Sequence, residues 1–403
     1  MRVGLYTEKF IEWGGGIDFI RILLNGLKTI QEERKLEIVL FIPLQKTSKL
    51  DTFKLEIKRI INILYQREKF SLKVQKPLDI EESVKSFLTI CELEVVIFNY
   101  DKSKLETIFK NKQIDVVLPC FYSPGKSFQI PWVGYIYDFQ HTYYPEFFKL
   151  KEIKLRNKFF KEMSLDAKVI LVNALEVKRD LMQFSPNSNA QIVSLPFCPL
   201  YSNRVVQIDN INHFPNIPEK FFIISNQFWQ HKNHKTAFLG LAKFYNKYAN
   251  TDVHLLCTGE MYDYRNPKYL SELQKLLIDN NIQNRVHLLG YISKNEQQYL
   301  MAKAIGLVQP TLFEGGPGGG SAYEAIAMGK KVLLSDILVN KEINKSNCLF
   351  FEALNPDDFA DKLFEMMNLP EVNLNELQEI EQREKRALGE AIGLAMDFAL
   401  GEK

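Results

Sequence analysis

Short apolar runs rich in Val, Ile, Leu and Phe alternate with helix-period stretches along most of this 403-residue chain. Alternation of that kind builds βα units, and consecutive βα units form parallel sheets with helices on both faces. Residues 2–6, 37–42, 94–99, 115–120, 132–137, 168–172 and 191–195 read as the strands of a first series, with amphipathic stretches such as 17–30 and 145–163 between them. Past Pro196 the pattern breaks. Pro199, Pro215 and Pro218 lie among Asn and Ser with no apolar period, which is the texture of an interdomain linker. A second series follows at 221–225, 254–257, 286–289, 306–309 and 331–334, and a long helical pattern at 373–400 is placed to pack back across the linker. The length agrees, because single cores stop growing near ~250–300 residues. The expected fold class is α/β: two doubly wound Rossmann-like domains at 1–200 and 220–372, a linker at 201–219 and a terminal helix at 373–403, with ligand sites in the cleft where strand ends meet.

Composition limits the alternatives. With 46% hydrophobic and 25% charged residues the chain has a core to bury and is neither disordered nor collagen-like. It shows no apolar run of ~18 residues and no signal-peptide pattern, so a cytoplasmic location is expected. Cys91, Cys120, Cys198, Cys257 and Cys348 are odd in number and never form C-x-x-C, which argues against a disulfide framework or a zinc site. The net charge of +2 divides into 30 Lys/Arg against 24 Asp/Glu in residues 1–200, and 21 against 25 in the remainder. That imbalance is too small for a nucleic-acid binder. It is concentrated at 46–76, with nine cations and three acids and an apolar stripe of Ile57, Ile60, Ile61 and Leu64, and at 149–163, with six cations and two acids. Basic amphipathic helices suit peripheral contact with the anionic inner face of a membrane, although the same pattern also describes a core helix with a solvated outer side.

Chemistry is concentrated in one loop, Thr311-Leu-Phe-Glu-Gly-Gly-Pro-Gly-Gly-Gly-Ser-Ala-Tyr-Glu-Ala-Ile-Ala-Met-Gly329. It follows a strand and opens a helix, so its glycines let backbone approach a ligand while the first helical N–H groups suit an anion or sugar hydroxyls. Glu314 and Glu324 bracket this cradle and can accept hydrogen bonds from hydroxyls. Ser321-x-x-Glu324 also matches a capping box, in which both residues only satisfy backbone donors. Trp13-Gly14-Gly15-Gly16-Ile17, between the first strand and its helix, is a second glycine turn, but not a dinucleotide fingerprint.

The block from Glu314 to Gly329 resembles the E-G-F-G-L-P-x-x-E-A-M-A-x-G block of retaining glycosyltransferases with the GT-B fold, above all their large family 4 (glycosyl transferases group 1, bacterial polysaccharide type). By this resemblance Glu314 holds the donor sugar, Glu324 the ribose, and the segment containing Gly316, Gly318, Gly319, Gly320 and Ser321 lies against sugar and phosphates. The acids here are ten positions apart rather than eight, so the loop is longer by two. Ser225-Asn-Gln-Phe-Trp-Gln-His-Lys-Asn-His234 resembles the family's G-R-L-x-x-x-K-G segment. It implies a diphosphate role for Lys232 and places Asn226 or Gln227 where the family has Arg, leaving Lys232 and helix N-termini to neutralise more of the leaving group. Val286 to Tyr291 resembles the strand and turn near the donor base, and Gly15 and Gly16 the family's first glycine loop. Tyr137-Asp138 resembles its H-D segment with Tyr in place of His, which makes Asp138 and nearby His141 candidates for the cleft. Tyr143, Tyr144 and Trp13 are candidates for an apolar wall against a sugar ring, whereas His231 and His234 read as turn or capping residues.

The resemblance implies retaining transfer from a nucleoside diphosphate sugar, held by the second domain, to a hydroxyl of a glycan or lipid-linked acceptor, held by the first. Charge develops on the departing diphosphate, so preorganised N–H groups and Lys232 are the expected catalytic device. With no D-x-D and no metal-ligand spacing, no metal and no other cofactor is expected. The alternatives are a nucleotide-sugar epimerase or a glycan phosphorylase on the same plan, or a non-catalytic nucleotide-sugar binding subunit.

Overall fold

The structure, a computed structural model, describes residues 1–12, 14–44, 80–200, 217–248 and 252–402. Trp13, the basic segment 46–76 and most of the expected linker lie outside the described residues.

The first domain holds seven parallel strands, β1 (Arg2–Tyr6), β2 (Glu37–Leu44), β3 (Glu94–Asn99), β4 (Val116–Cys120), β5 (Trp132–Ile136), β6 (Val169–Val172) and β7 (Gln191–Ser194), in the order β3-β2-β1-β4-β5-β6-β7. Its helices are α1 (Gly14–Ile30), α2 (Ile80–Leu88), α3 (Leu105–Asn111), α4 (Gln140–Tyr143), α5 (Leu150–Asp166) and α6 (Leu175–Phe184). The second domain has six parallel strands, β8 (Phe221–Ser225), β9 (His254–Thr258), β10 (Val286–Gly290), β11 (Gly306–Gln309), β12 (Lys331–Ser335) and β13 (Cys348–Phe351), ordered β10-β9-β8-β11-β12-β13. With them go α7 (His234–Lys247), α8 (Tyr269–Asp279), α9 (Lys294–Lys303), α10 (Gly319–Ala327), α11 (Pro356–Asn368) and the long α12 (Leu374–Leu400).

The central strands β4, β5, β6, β11 and β12 are buried at every residue. Helices on both faces remove the solvated side that would impose alternation, which is why these strands are continuous apolar runs. Sequence and structure differ in two elements. β13 is a four-residue edge strand paired with β12 and has no counterpart among the expected strands. The helical stretch expected from 145 is a 3₁₀ turn at Pro145–Phe147, and α5 starts only at Leu150.

The last helix is built into the first domain. Leu388, Ile392, Ala395, Met396 and Ala399 of α12 are buried in the same core as Leu23, Leu24 and Leu27 of α1. Arg34 grips Asp397 with two hydrogen bonds of 2.6 and 3.0 Å. Glycines allow the close approach: a Cβ on Gly389 would stand 2.2 Å from Thr29 Oγ1 and 2.5 Å from the Gly26 carbonyl oxygen. Gly389→Val is therefore expected to destabilise the protein by about 1–3 kcal/mol through overpacking, read as a lower midpoint in thermal or urea unfolding.

Each sheet changes direction of winding once, between β1 and β4 and between β8 and β11. Crevices open there at the carboxyl ends of the strands. The loops after β5, β8 and β11 meet across these crevices.

Candidate functional site

Lys232 closes a 3₁₀ turn after β8, and Asn233, left-handed at φ 53°, leads from it into α7. The Lys232 Nζ lies 2.5 Å from Glu314 Oε1 in a largely buried pair. Gln309, the last residue of β11, donates through Nε2 to Glu314 Oε1 at 3.2 Å and to the Gly318 carbonyl at 2.9 Å, while Asn226 Nδ2 donates to its Oε1. One amide thus ties the loop after β8 to the glycine loop.

The glycine loop is anchored at its far end by Asn340, whose Oδ1 accepts from Gly318 N at 2.8 Å and whose Nδ2 donates to the Ser335 carbonyl at 2.9 Å. Gly318 and Gly319 take φ +68° and +66°, a left-handed pair that other L-residues rarely adopt. A side chain at 319 would also stand 3.1 Å from the Glu314 carboxylate. α10 begins here, so its first N–H groups, which lack intrahelical partners, open beside Glu314 and Lys232. Around Gly320 there is open space, and Ser321 Oγ is buried without a hydrogen-bond partner.

The first domain reaches this point through the loop after β5. A Cβ on Gly315 would fall 2.6 Å from the Tyr137 carbonyl oxygen and 3.0 Å from Asp138 Cβ, and one on Gly316 would touch Asn173. Asp138 accepts from Gln140 N at 3.0 Å and faces Arg156 Nη1 at 3.7 Å. Burial raises its pKa against the opposing pull of Arg156, and the charges of Glu314 and Lys232 are felt as well. Lys232, Glu314 and Asp138 therefore form one cluster across the domain boundary, with the N-terminus of α10 at its side.

Residues 208–386 match the family described as glycosyl transferases group 1. That span holds the whole second-domain side of the cluster. Over 224 residues the chain is 28% identical to the O-antigen chain mannosyltransferase RfbU of Salmonella typhimurium, a match covering 55% of this chain and 56% of that protein. The match thus takes in little more than half the relative's length. Among solved structures, the sucrose-phosphate synthase of Thermosynechococcus elongatus superposes with a TM-score of 0.56 at 13% identity over 100% of this chain and 94% of that one. Anabaena HepE in complex with UDP and glucose does so at 0.54 and 13%, over 99% and 98%. The fold is GT-B.

Other expected residues of the group 1 segment and its partner domain sit elsewhere. Glu324 lies one turn into α10 and pairs with Lys294 Nζ at 2.6 Å, with Gln298 Nε2 at 3.4 Å. The capping-box alternative is corrected, since the N-cap is Gly318 and no side chain caps the helix. Gln227 is exposed just past β8, whereas Asn226 is turned inward. Gly15 is exposed in the first turn of α1, while Gly16 is packed so closely that a Cβ would stand 2.1 Å from the Phe10 carbonyl oxygen. His141 is not brought to the cluster. It is 2% exposed, its Nε2 lies 2.9 Å from Asn157 Oδ1, and its ring packs among Phe139, Phe148 and Phe160. Tyr143 and Tyr144 lean on Phe313 of the second domain, with centroids 5.9 and 6.0 Å away, and so join the domains. His231 lies in the 3₁₀ turn, as expected of a turn residue, and His234 opens α7; both are buried and neither caps that helix.

Sequence reasoning missed Gln309, Asn340, Arg156 and Glu342. Gln309 had a signal, a polar residue ending the apolar run Gly306–Gln309. Glu342 had none: its carboxylate accepts from Leu175 N and Glu176 N at 2.9 and 2.8 Å and so caps α6 of the opposite domain.

Proposed function

We propose that this chain transfers a sugar from a nucleoside diphosphate donor to a hydroxyl of a glycan or lipid-linked acceptor, with retention of configuration, in cell-surface polysaccharide synthesis. The observation that carries the reading is the Lys232–Glu314 pair beside the N-terminus of α10. A cation and helical N–H groups at one point suit a diphosphate, and a carboxylate beside them suits the hydroxyls of the sugar attached to it. Glu314 is engaged by Lys232 and Gln309, which fits a positioning role better than that of an attacking nucleophile. Glu324, kept at the surface by Lys294, is the proposed ribose partner on exchanging that ion pair for a hydroxyl. UDP and glucose in the HepE complex and the mannosyltransferase relative support a nucleotide-sugar donor and a glycan product.

Peripheral contact with an anionic membrane is part of the proposal, through segments 46–76 and 149–163. In the second segment Lys151, Lys154, Lys158 and Lys161 are exposed. Among the described residues no helix is long and apolar enough to cross a membrane.

Calorimetry with UDP, GDP and other nucleoside diphosphates, followed by transfer assays with the matching sugar donors, tests the reading. Micromolar binding and an acceptor product of retained anomeric configuration are expected. Donor isomerisation, or phosphate-dependent release of sugar phosphate, would replace it with the epimerase or the phosphorylase. Because Lys232 and the α10 amides are proposed to carry the leaving-group charge, transfer is expected to survive excess EDTA. Activity lost to the chelator and restored by Mn²⁺ would refute that part.

A further inference from the structure

A cavity of about 500 Å³ lies in the first domain between α5 and α6, and neither Lys232, Glu314 nor Asp138 lines it. Phe139, Ile153, Phe160, Leu165 and Phe184 form an apolar side, and Thr142, Asn157, Ser164, Ser185, Asn187 and Ser188 line the rest. Along α5 it extends from Ile153 to Leu165, about 18 Å at 1.5 Å per residue. The volume is that of a small-molecule site, and an elongated trough with one apolar side suits a flexible hydrocarbon chain that carries a polar group. No strand lines it, so it offers a peptide no edge to pair with.

Two further observations indicate the ligand. At the upper end His141 is nearly fully buried in the wall, with Nε2 held by Asn157 and Nδ1 without a partner. On the same helix Lys161 lines the cavity, and Lys151, Lys154 and Lys158 precede it at helical spacing, all four exposed. Lys151, Lys154 and Lys161 form no ion pair among the described residues. Leu155 and Leu165, 46% and 49% exposed, flank the stripe. Uncompensated lysines beside exposed leucines and an apolar trough complement an anionic amphiphile, phosphate outside and chain inside.

We propose that the α5–α6 cavity receives the hydrocarbon chain of an anionic lipid that carries the acceptor, the lysine stripe neutralising its phosphate. This rests on the reading of the chain as a glycosyltransferase with a lipid-linked acceptor, and it adds where the lipid is held. Farnesyl phosphate below its critical micelle concentration is a direct probe, with farnesol and inorganic phosphate as comparators in calorimetry. Farnesyl phosphate is expected to bind at least tenfold tighter than either. Leu165→Glu and the double variant Lys154→Glu/Lys161→Glu are expected to weaken it at least tenfold, while Leu354→Glu, an exposed site in the second domain, leaves it unchanged. Farnesyl phosphate binding no tighter than both comparators, or weakened equally by Leu354→Glu, overturns the proposal. So does a wild-type dimer that Leu165→Glu dissociates while no lipid binds, which would give the trough to a second copy. UDP and GDP titrations in parallel separate the two readings: nucleotide binding without lipid binding sinks the lipid site alone, and lipid binding without nucleotide binding sinks the donor reading alone.

Discussion

Lys232→Ala is expected to lower kcat/KM for sugar transfer about 10²–10³-fold, roughly 2.7–4 kcal/mol of transition-state stabilisation. Two effects act in the same direction. The leaving diphosphate loses the one cation that the loop after β8 contributes, at a position where the resembled family would also have Arg but this chain has Asn226 or Gln227. Glu314 stays in place, still held by Gln309 at 3.2 Å, and its carboxylate then faces the developing charge without its 2.5 Å partner. Breaking such a buried pair from one side leaves an uncompensated charge, so nucleoside diphosphate affinity should fall along with turnover. Lys232→Ala/Glu314→Gln should therefore lose less than the sum of the single losses, the sign of two residues acting together. Steady-state kinetics with a matching donor and UDP or GDP titration provide the measurements. Transfer retained within threefold by Lys232→Ala would remove Lys232 from the mechanism.

The parts of this molecule that the sequence revealed are those set by local pattern. All seven strands of the first domain and five of the second appear where apolar runs predict them, most plainly β4, β5, β6, β11 and β12, which are buried on both faces. β13, paired with β12 at the sheet edge, is the one described strand without a counterpart among those runs. The site divides in the same way. Glu314 and the glycine turn lie in a loop whose composition suits a ligand, Lys232 is indicated only by the resemblance of its segment, and the fold brings them together. Asp138 joins them only because Gly315 lets the loop after β5 come within a Cβ of it. His141 and Asp138 are three residues apart, yet the one-turn helix α4 sends the imidazole into an aromatic packing site away from the cleft. No one-dimensional spacing rule separates those two outcomes. Glu342 is the extreme case: it acts on α6, 166 residues away in the chain, and capping across a domain boundary leaves no trace in either local sequence.

Acidification from pH 6.5 to 5 is expected to cost about 3 kcal/mol of stability through two histidines of the second domain. His234 is fully buried at the start of α7, stacked on Phe228 at 4.1 Å, with neither ring nitrogen hydrogen-bonded. Burial, and then the Lys232 charge, push its pKa down to about 3. His231, buried beside Trp229 and Phe147, is pushed down to about 2 by burial, with Lys232, Arg265 and His234 adding repulsion. The folded pKa values lie below the unfolded value near 6.5, so both histidines are neutral in either state above that pH and their stabilising effect is complete there. As pH falls below about 6.5 the unfolded chain takes up protons that the folded chain refuses, and stability is lost at about 1.4 kcal/mol per unit for each group until the folded values are reached. Because the unfolded histidine is half protonated at pH 6.5, the full slope is reached only lower, and over 1.5 units the pair gives about 3 kcal/mol, a large share of the 5–15 kcal/mol typical of a folded protein. His141, His254 and His287 are shifted in the same direction by burial, so a slope in the wild type alone does not assign the effect. His234→Phe does assign it. A phenyl ring fills the stack on Phe228, no ring hydrogen bond is lost, and the orphaned nitrogens are removed, so stability at pH 7 should hold or rise while the loss between pH 6.5 and 5 shrinks by about 2 kcal/mol. Urea unfolding at half-unit steps of pH measures both quantities. An acid slope identical in His234→Phe and wild type would show that His234 already accepts its proton in the folded protein.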